Sequence, residues 1–270
     1  MRKKRECSAV LCVLNEVETI ASSLANLQKL WLEEVIVVDG GSTDGTVDIL
    51  RKSARIRLLE LHNEGLLRQR LAGISSAKSH FVLLVDVDDT IEGRDLDQNL
   101  ELMATESHLD GVQFRLKTPR GNFWERGWAS YFEVLTPAGK RIKLLGRPSI
   151  ARRANFLQFQ EAPPRVFGED TWIHLQERNL GRDYKVGPGF STRACPSNAQ
   201  DNFLQFRRYG QTDAELSGTF WEHLKLLFHS GFRIAIIRSS RALFRGNFSG
   251  FVFIFILGAA RTAHHIKQWG

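Results

Sequence analysis

What most constrains this chain is the alternation of short apolar runs with helical periodicities across its first ninety residues. Ser8 to Leu14 is an apolar run, followed by Ile20, Leu24, Leu27 and Leu30 at the three- and four-residue spacing of a helix. Val35 to Val38 is a second run, Asp39-Gly-Gly-Ser-Thr-Asp-Gly45 a turn-rich loop, and Thr46 to Ser53 a second helix. Ile56 to Leu61 reads as a third strand, Leu66 to Ala77 as a helix with Leu67, Leu71 and Ile74 on one side, and Phe81 to Val85 as a fourth strand. Strand and helix in strict alternation predict an α/β fold: a Rossmann-like, mostly parallel sheet flanked by helices, with ligands at the carboxyl ends of the strands. Every polar motif of this segment falls at such an end.

A chain of 270 residues suffices for one large α/β domain with an appendage. Its 43% apolar content and only seven prolines exclude a disordered protein. Cys7, Cys12 and Cys195 form no close pairing, which suits a reduced, cytosolic chain. The basic start Met1-Arg-Lys-Lys-Arg-Glu6 precedes an apolar run broken by Asn15 and Glu16 with no cleavage site, so it does not read as a signal peptide. The last fifty residues hold Lys225, Arg233, Arg238, Arg241, Arg245, Arg261 and Lys267 against Glu222, nearly all of the formal net charge of +7. We therefore expect a catalytic domain over 1–215 and a basic, apolar helical tail over 216–270. Phe251 to Leu257 is apolar throughout, and even Phe248 to Ala260 falls short of the roughly 20 residues that cross a bilayer. The tail suits a segment lying in a membrane interface, arginines on anionic headgroups, or else a helical pair packed on the catalytic domain. Base-stacking and groove-reading motifs are missing, so no nucleic acid is expected as a partner.

Asp86-Val-Asp-Asp89 follows an apolar strand and offers hard oxygen ligands of the kind that hold Mg²⁺ or Mn²⁺ on a diphosphate. Taken alone, the same residues would equally cap a helix starting at Thr90. Gly168-Glu-Asp170 opens a helix, where two carboxylates also gain from the helix dipole. From Asp110 to Arg165 the pattern loosens: Val112 to Leu116 is a strand, and Trp124, Trp128 and Tyr131 fall in a loop-like or short helical segment. These aromatics suit either stacking on an acceptor sugar or lipid carrier, or an ordinary core.

Four blocks in order, Val13-Leu-Asn-Glu16, Val37-Val-Asp-Gly-Gly-Ser-Thr-Asp-Gly-Thr46, Asn63-Glu-Gly65 with Arg70, Gly73 and Ala77, and Leu84-Val-Asp-Val-Asp-Asp89, resemble the signature of family-2 inverting glycosyltransferases. The resemblance implies a GT-A fold and transfer from a nucleotide-diphosphate sugar, a UDP-sugar favoured, to a saccharide or lipid-linked saccharide. It places Leu14, Asn15 and Glu16 at the nucleoside pocket, and Asp39 on the base with Ser42 and Asp44 in the same loop. Gly40 stands where many relatives carry a second aspartate, which leaves Asp39 as the only carboxylate there. Arg70 is implied near the phosphates, with Arg68 as the alternative. Asp88 is implied as metal ligand, Asp86 on the ribose or metal side, and Asp89 as a helix cap.

Glu169 and Asp170 resemble the acidic pair that supplies the catalytic base, Asp170 deprotonating the acceptor. Gln205-Phe-Arg-Arg208-Tyr209 resembles the Gln-x-x-Arg-Trp tract of processive members with Tyr for Trp; Arg207 and Arg208 are either substrate contacts or a basic helix surface. A cell-surface polysaccharide role on the cytoplasmic membrane face follows from the resemblance and the tail. A polyprenyl-phosphate sugar synthase and a non-catalytic nucleotide-sugar-binding module are the competing readings.

Overall fold

The computed structural model describes residues 5–159, 162–163, 168–177, 179–215 and 219–269, so the basic residues 1–4 and Arg165 lie outside it. It divides into two compact units: residues 1–115 with 138–192, and residues 116–137 with 193–270. The boundary expected after residue 215 thus falls inside the second unit. The reason is that the aromatic segment near residue 128 and the helix before residue 215 share a core with the tail.

The first unit begins with β1 (Arg5–Val13), α1 (Ile20–Lys29), β2 (Leu32–Asp39), α2 (Thr46–Lys52), β3 (Arg57–Glu60), α3 (Leu66–Ser76) and β4 (Phe81–Val85), in the alternation the sequence predicts. There follow β5 (Asp89–Ile91), α4 (Gly93–Thr105) and β6 (Gly111–Lys117). The strands order as β3-β2-β1-β4, all parallel. Beyond β4 the sheet is mixed, because β8 (Ser149–Arg152) lies antiparallel to both β4 and β6.

Both faces of the parallel strands are covered, which is why they read as continuous apolar runs. Ala9, Leu11, Val13, Val37, Leu83 and Val85 face one layer with Ile20, Leu24 and Leu27 of α1 and Leu96 and Met103 of α4. Val10, Ile36, Val38, Val82 and Leu84 face the other, with Leu67, Leu71 and Ile74 of α3. Gly73 lets α3 lie close on the sheet: a Cβ there would stand 2.5 Å from Val10 Cγ1. Because β2 and β4 flank β1 on opposite sides, the chain reverses direction across the sheet beside β1. A crevice at the carboxyl ends of β1 and β4 is the expected result.

No helix starts at Thr90; residues Asp89–Ile91 form β5, and α4 begins at Gly93 after Glu92. Asp89 is therefore not a helix cap. Instead it accepts from Asp86 N–H at 3.1 Å and from the Ser191 hydroxyl, closing the acidic loop on itself.

In the second unit, α5 (Phe123–Leu135) takes the helical of the two alternatives and runs 13 residues, set by a capping box between Asn122 and Glu125. The first unit also holds β7 (Arg141–Ile142), a 3-10 helix (Arg153–Phe159), α6 (Glu169–Glu177) and β9 (Tyr184–Arg193), and the second α7 (Ala199–Glu215), α8 (Phe220–Leu226), a π-helix (Leu227–Arg238), α9 (Ser239–Phe244) and α10 (Phe248–Trp269). Trp128, Tyr131 and Phe132 pack with Phe206 of α7 and Phe253, Ile254 and Leu257 of α10. Trp128 donates its indole N–H to Asn202 at 2.8 Å. Trp128 and Tyr131 are thus core residues, not an exposed stacking platform. The α10 helix runs 22 residues, against the short run expected, because the helix continues through Arg261 to Trp269. By length and composition, Phe248–Lys267 is long and apolar enough to cross a membrane.

Candidate active site

The loops that follow β1 and β2 knit together through small polar side chains. Asn15, in the left-handed region at φ 57°, takes its backbone N–H to the Ser42 hydroxyl and accepts from Thr43 N–H at 2.8 Å. Asn tolerates that conformation better than most residues. Glu16 N–H donates to Thr46 Oγ1, and Asp44 accepts from Val17 N–H and from both the N–H and hydroxyl of Thr46. The Thr46 hydroxyl holds the Asp44 carboxyl below its ordinary pKa. Asp39 is wholly buried, and its carboxylate accepts from Gly41 N–H, Ser42 N–H and the Ser42 hydroxyl. It shapes its loop before it meets any ligand. Leu14 stands exposed at the end of β1.

At the end of β4, carboxylate oxygens of Asp86, Asp88 and Asp89 lie within 4.8 Å of one another. Asp89 is buried and tied into its loop, Asp86 half-buried and Asp88 exposed. Asp88 is therefore the member that reaches furthest out.

Beneath this loop lies a buried ion-pair cluster. Arg70 is almost fully buried; its Nε meets Glu169 at 2.7 Å and its Nη2 meets Asp86 at 3.0 Å. Burial presses on the guanidinium to shed its proton, but Glu169 and Asp86 outweigh it and hold its pKa above the ordinary value. The Cys12 thiol alongside is pushed up to about 12 by burial, so it stays neutral. Arg147, which the sequence reading did not single out, joins Glu169 at 2.7 Å and approaches Asp86 at 3.7 Å and Asp170 at 3.9 Å. An arginine before a proline in a segment without periodicity gave no signal of its own.

Glu169 is 2% exposed and shares one oxygen between two arginines, whereas Asp170, next in α6, is about one-third exposed. The pair thus splits into an anchored and an accessible carboxylate. Arg68 donates to Ala162 O and Glu64, away from this cluster. Arg207 and Arg208 are exposed on α7, in the other unit.

Among the described residues, Arg70 and Arg147 meet Asp86, Glu169 and Asp170 beside Asp88 and Asp89, so this end of the sheet is rich in carboxylates. A diphosphate would be repelled by that field unless a cation joined it. Three hard carboxylate oxygens close together fit Mg²⁺ or Mn²⁺, which take one or two carboxylates and keep the remaining positions for phosphate and water.

The model of the glycosyl transferase family 2 matches residues 8–169, more than half of the chain. The chain belongs to that family. Among characterised relatives, it is 33% identical over 95 residues to a cholesterol galactosyltransferase of Borreliella burgdorferi, a match covering 33% of this chain and 26% of the relative. It is 31% identical over 108 residues to the putative glycosyltransferase EpsH of Bacillus subtilis, covering 38% and 31%. The chain thus spans about a third or less of the length of these two family members. Among solved structures, it resembles the mannosyltransferase PcManGT of Pyrobaculum calidifontis, in complex with GDP-Man and Mn²⁺, with a TM-score of 0.66, 15% identity, and 99% and 88% of the two chains covered. TarS of S. aureus with UDP-GlcNAc gives 0.56 at 17% identity, covering 97% and 89%. Both show the fold of this family member, GT-A.

Proposed function

We propose that this chain is an inverting glycosyltransferase that moves a sugar from a nucleoside-diphosphate donor, a UDP-sugar favoured, to a saccharide or lipid-linked saccharide. One observation carries the reading: Asp170, a partly exposed carboxylate, lies 3.9 Å from Arg147, which with Arg70 joins Glu169 and Asp86 beside a cluster of three aspartates. Asp88 and Asp86 would hold the Mg²⁺ or Mn²⁺, which supplies charge neutralisation for the leaving diphosphate. The loops at Leu14, Asn15, Glu16, Asp39, Ser42 and Asp44 bind the nucleoside.

Asp170 accepts the proton of the acceptor hydroxyl as that oxygen attacks the anomeric carbon from the face opposite the diphosphate, which inverts the centre. Glu169 does not serve as base, since it is buried and its one paired oxygen is shared by two arginines. Its part is to fix the first turn of α6, and with it Asp170. Arg70 acts from below, holding Asp86 and Glu169, rather than on the phosphates directly.

The test is binding of a panel of nucleoside diphosphates with and without Mn²⁺, followed by transfer assays on Asp170→Asn. We expect metal-dependent binding, and transfer reduced by about 10²- to 10⁴-fold in the variant with donor affinity kept. Binding of no nucleoside diphosphate under either condition would overturn the reading. Unchanged turnover in the variant would remove Asp170 from its role. Transfer to polyprenyl phosphate with no glycan present would instead identify a polyprenyl-phosphate sugar synthase, and donor binding without any transfer a non-catalytic module.

We also propose that the second unit lies on the anionic cytoplasmic face of a membrane, in assembly of a surface polysaccharide. The supporting observation is exposure: thirteen of the nineteen exposed large apolar side chains among the described residues belong to this unit, alongside exposed Arg233, Arg241 and Arg245. Apolar and cationic groups exposed together suit a headgroup boundary.

A further inference from the structure

The side chain at position 69 lies beside the Asp39 loop and has no part in the site described so far. Gln69 lies on α3 and is 6% exposed. Its carboxamide makes no hydrogen bond among the described residues, and its oxygen and nitrogen both keep some contact with solvent. An amide whose body packs into the wall while its donor and acceptor stay open is available to a ligand. What stands next to it is Gly40: a Cβ built there would come within 2.6 Å of Gln69 Nε2 and 3.3 Å of its Oε1. The amide therefore fills the space over the end of β2 that a side chain at residue 40 would otherwise enter.

We infer that Gln69 is the residue that reads the donor's nucleobase in this chain. The inference rests on the donor reading proposed above. Its first support is the state of Asp39, whose carboxylate is fully buried and takes three donors from its own loop, leaving little with which to choose between bases. Gly40 brings no functional group at all. Its second support is position. In the order β2-β1-β4, the end of β2 is two strand spacings, about 10 Å, from the acidic cluster at the end of β4. A donor whose diphosphate lies at the aspartates and which extends along the crevice reaches that far with its base.

Chemistry then selects the kind of edge. A carboxamide presents an acceptor and a donor side by side in one plane, which pairs with a base edge that offers a donor beside an acceptor, so it separates bases by where on the ring that pair lies. A carboxylate, by contrast, only accepts.

The experiment is calorimetric titration of the full chain with UDP, GDP, CDP, ADP and inorganic pyrophosphate in the presence of Mn²⁺, for the wild type, Gln69→Met and Gln69→Glu. Met keeps the packing over Gly40 and removes the amide. We expect Gln69→Met to bind the preferred nucleoside diphosphate about tenfold more weakly, to lose most discrimination among bases, and to bind pyrophosphate as the wild type does. Gln69→Glu, able only to accept, is expected to fall between the two. Retention of the wild-type base preference in Gln69→Met would overturn the inference, as would an equal loss of pyrophosphate binding, which marks a purely structural role. A wild type that binds pyrophosphate but shows no base preference would overturn it too while leaving a diphosphate site standing. A wild type that binds no nucleoside diphosphate brings down the donor reading itself, and this inference with it.

Discussion

At the scale of single residues, Arg70 is the hinge of the site. It is buried against two carboxylates, and removing one partner of a buried ion pair leaves charge without compensation, at a cost of about 3–5 kcal/mol. Arg70→Met should lower the unfolding free energy by about that amount in urea titrations. The double variant Arg70→Met with Glu169→Leu should recover much of it, because Asp86 keeps Arg147 at 3.7 Å. A single variant within about 1 kcal/mol of wild type would mean that the cluster contributes little net stability. The sequence showed Arg70, Asp86 and Glu169 as separate members of separate blocks. It did not show that they touch, since 99 residues separate Arg70 from its bond to Glu169. Arg147 was illegible for a related reason: nothing local marks an arginine whose importance comes only from where β8 is placed in the sheet. Gly40 was legible as a departure, but its neighbour Gln69 was not, because the two meet across a strand and a helix.

Among elements, the parallel half of the fold was readable because a strand buried on both faces leaves a continuous apolar run, and because α1 and α3 keep one apolar face. The later strands were hidden. β9 contains Gly187, Pro188 and Gly189, residues that ordinarily argue against a strand, yet a Cβ at Gly187 would stand 2.2 Å from Asn99 Oδ1 and one at Gly189 2.2 Å from Asp95 O. The glycines are there because α4 lies against the strand, a tertiary cause with no local signature. α5 carried a readable signal in Asn122-x-x-Glu125 that its aromatic content obscured.

The junction of α6 and β9 also sets a pH dependence. Glu177 is buried and accepts from the Tyr184 hydroxyl at 2.7 Å; burial raises its pKa despite that bond and the nearby Arg182. A raised carboxyl pKa means that the folded state holds the proton more tightly than the unfolded one. The stabilisation is complete below the unfolded value and is lost as pH rises through the folded one. Glu177→Gln keeps an acceptor for Tyr184 and cannot ionise. Its melting temperature should therefore gain on wild type as pH rises from acid to neutral, read by thermal scans at matched ionic strength. A difference between the two proteins that stays constant with pH would show that Glu177 does not titrate in that window.

For the whole molecule, the question is what the second unit does with so much uncovered apolar surface. Phe244 is 90% exposed and Phe248 68%, and they flank a tight turn closed by Gly246 N–H on Leu243 O and Asn247 N–H on Ala242 O. Asn247 also accepts from Gly250 N–H at the start of α10, so the turn is rigid and presents both rings outward. Arg241 and Arg245 are exposed beside it, whereas Arg238 is turned onto the Tyr131 hydroxyl at 3.2 Å. That leaves Arg241 and Arg245 as the arginines beside the turn that are open to headgroups. Each basic residue near an anionic bilayer contributes about 1 kcal/mol, so Arg241→Gln with Arg245→Gln should weaken co-sedimentation with phosphatidylglycerol vesicles by about thirtyfold, and added salt should reproduce the loss in the wild type. Phe244→Ser with Phe248→Ser should lower binding to zwitterionic and anionic vesicles alike, since insertion of apolar surface does not depend on headgroup charge. The two pairs of variants therefore separate the two contributions, and α10 gives a third possibility its own outcome. If both pairs bind as the wild type does while the protein is extracted only by detergent, the 22-residue α10 holds the chain in the bilayer and the turn does not. If the wild type stays in solution with every vesicle at low salt, the exposed rings are covered by something other than lipid and the membrane proposal fails.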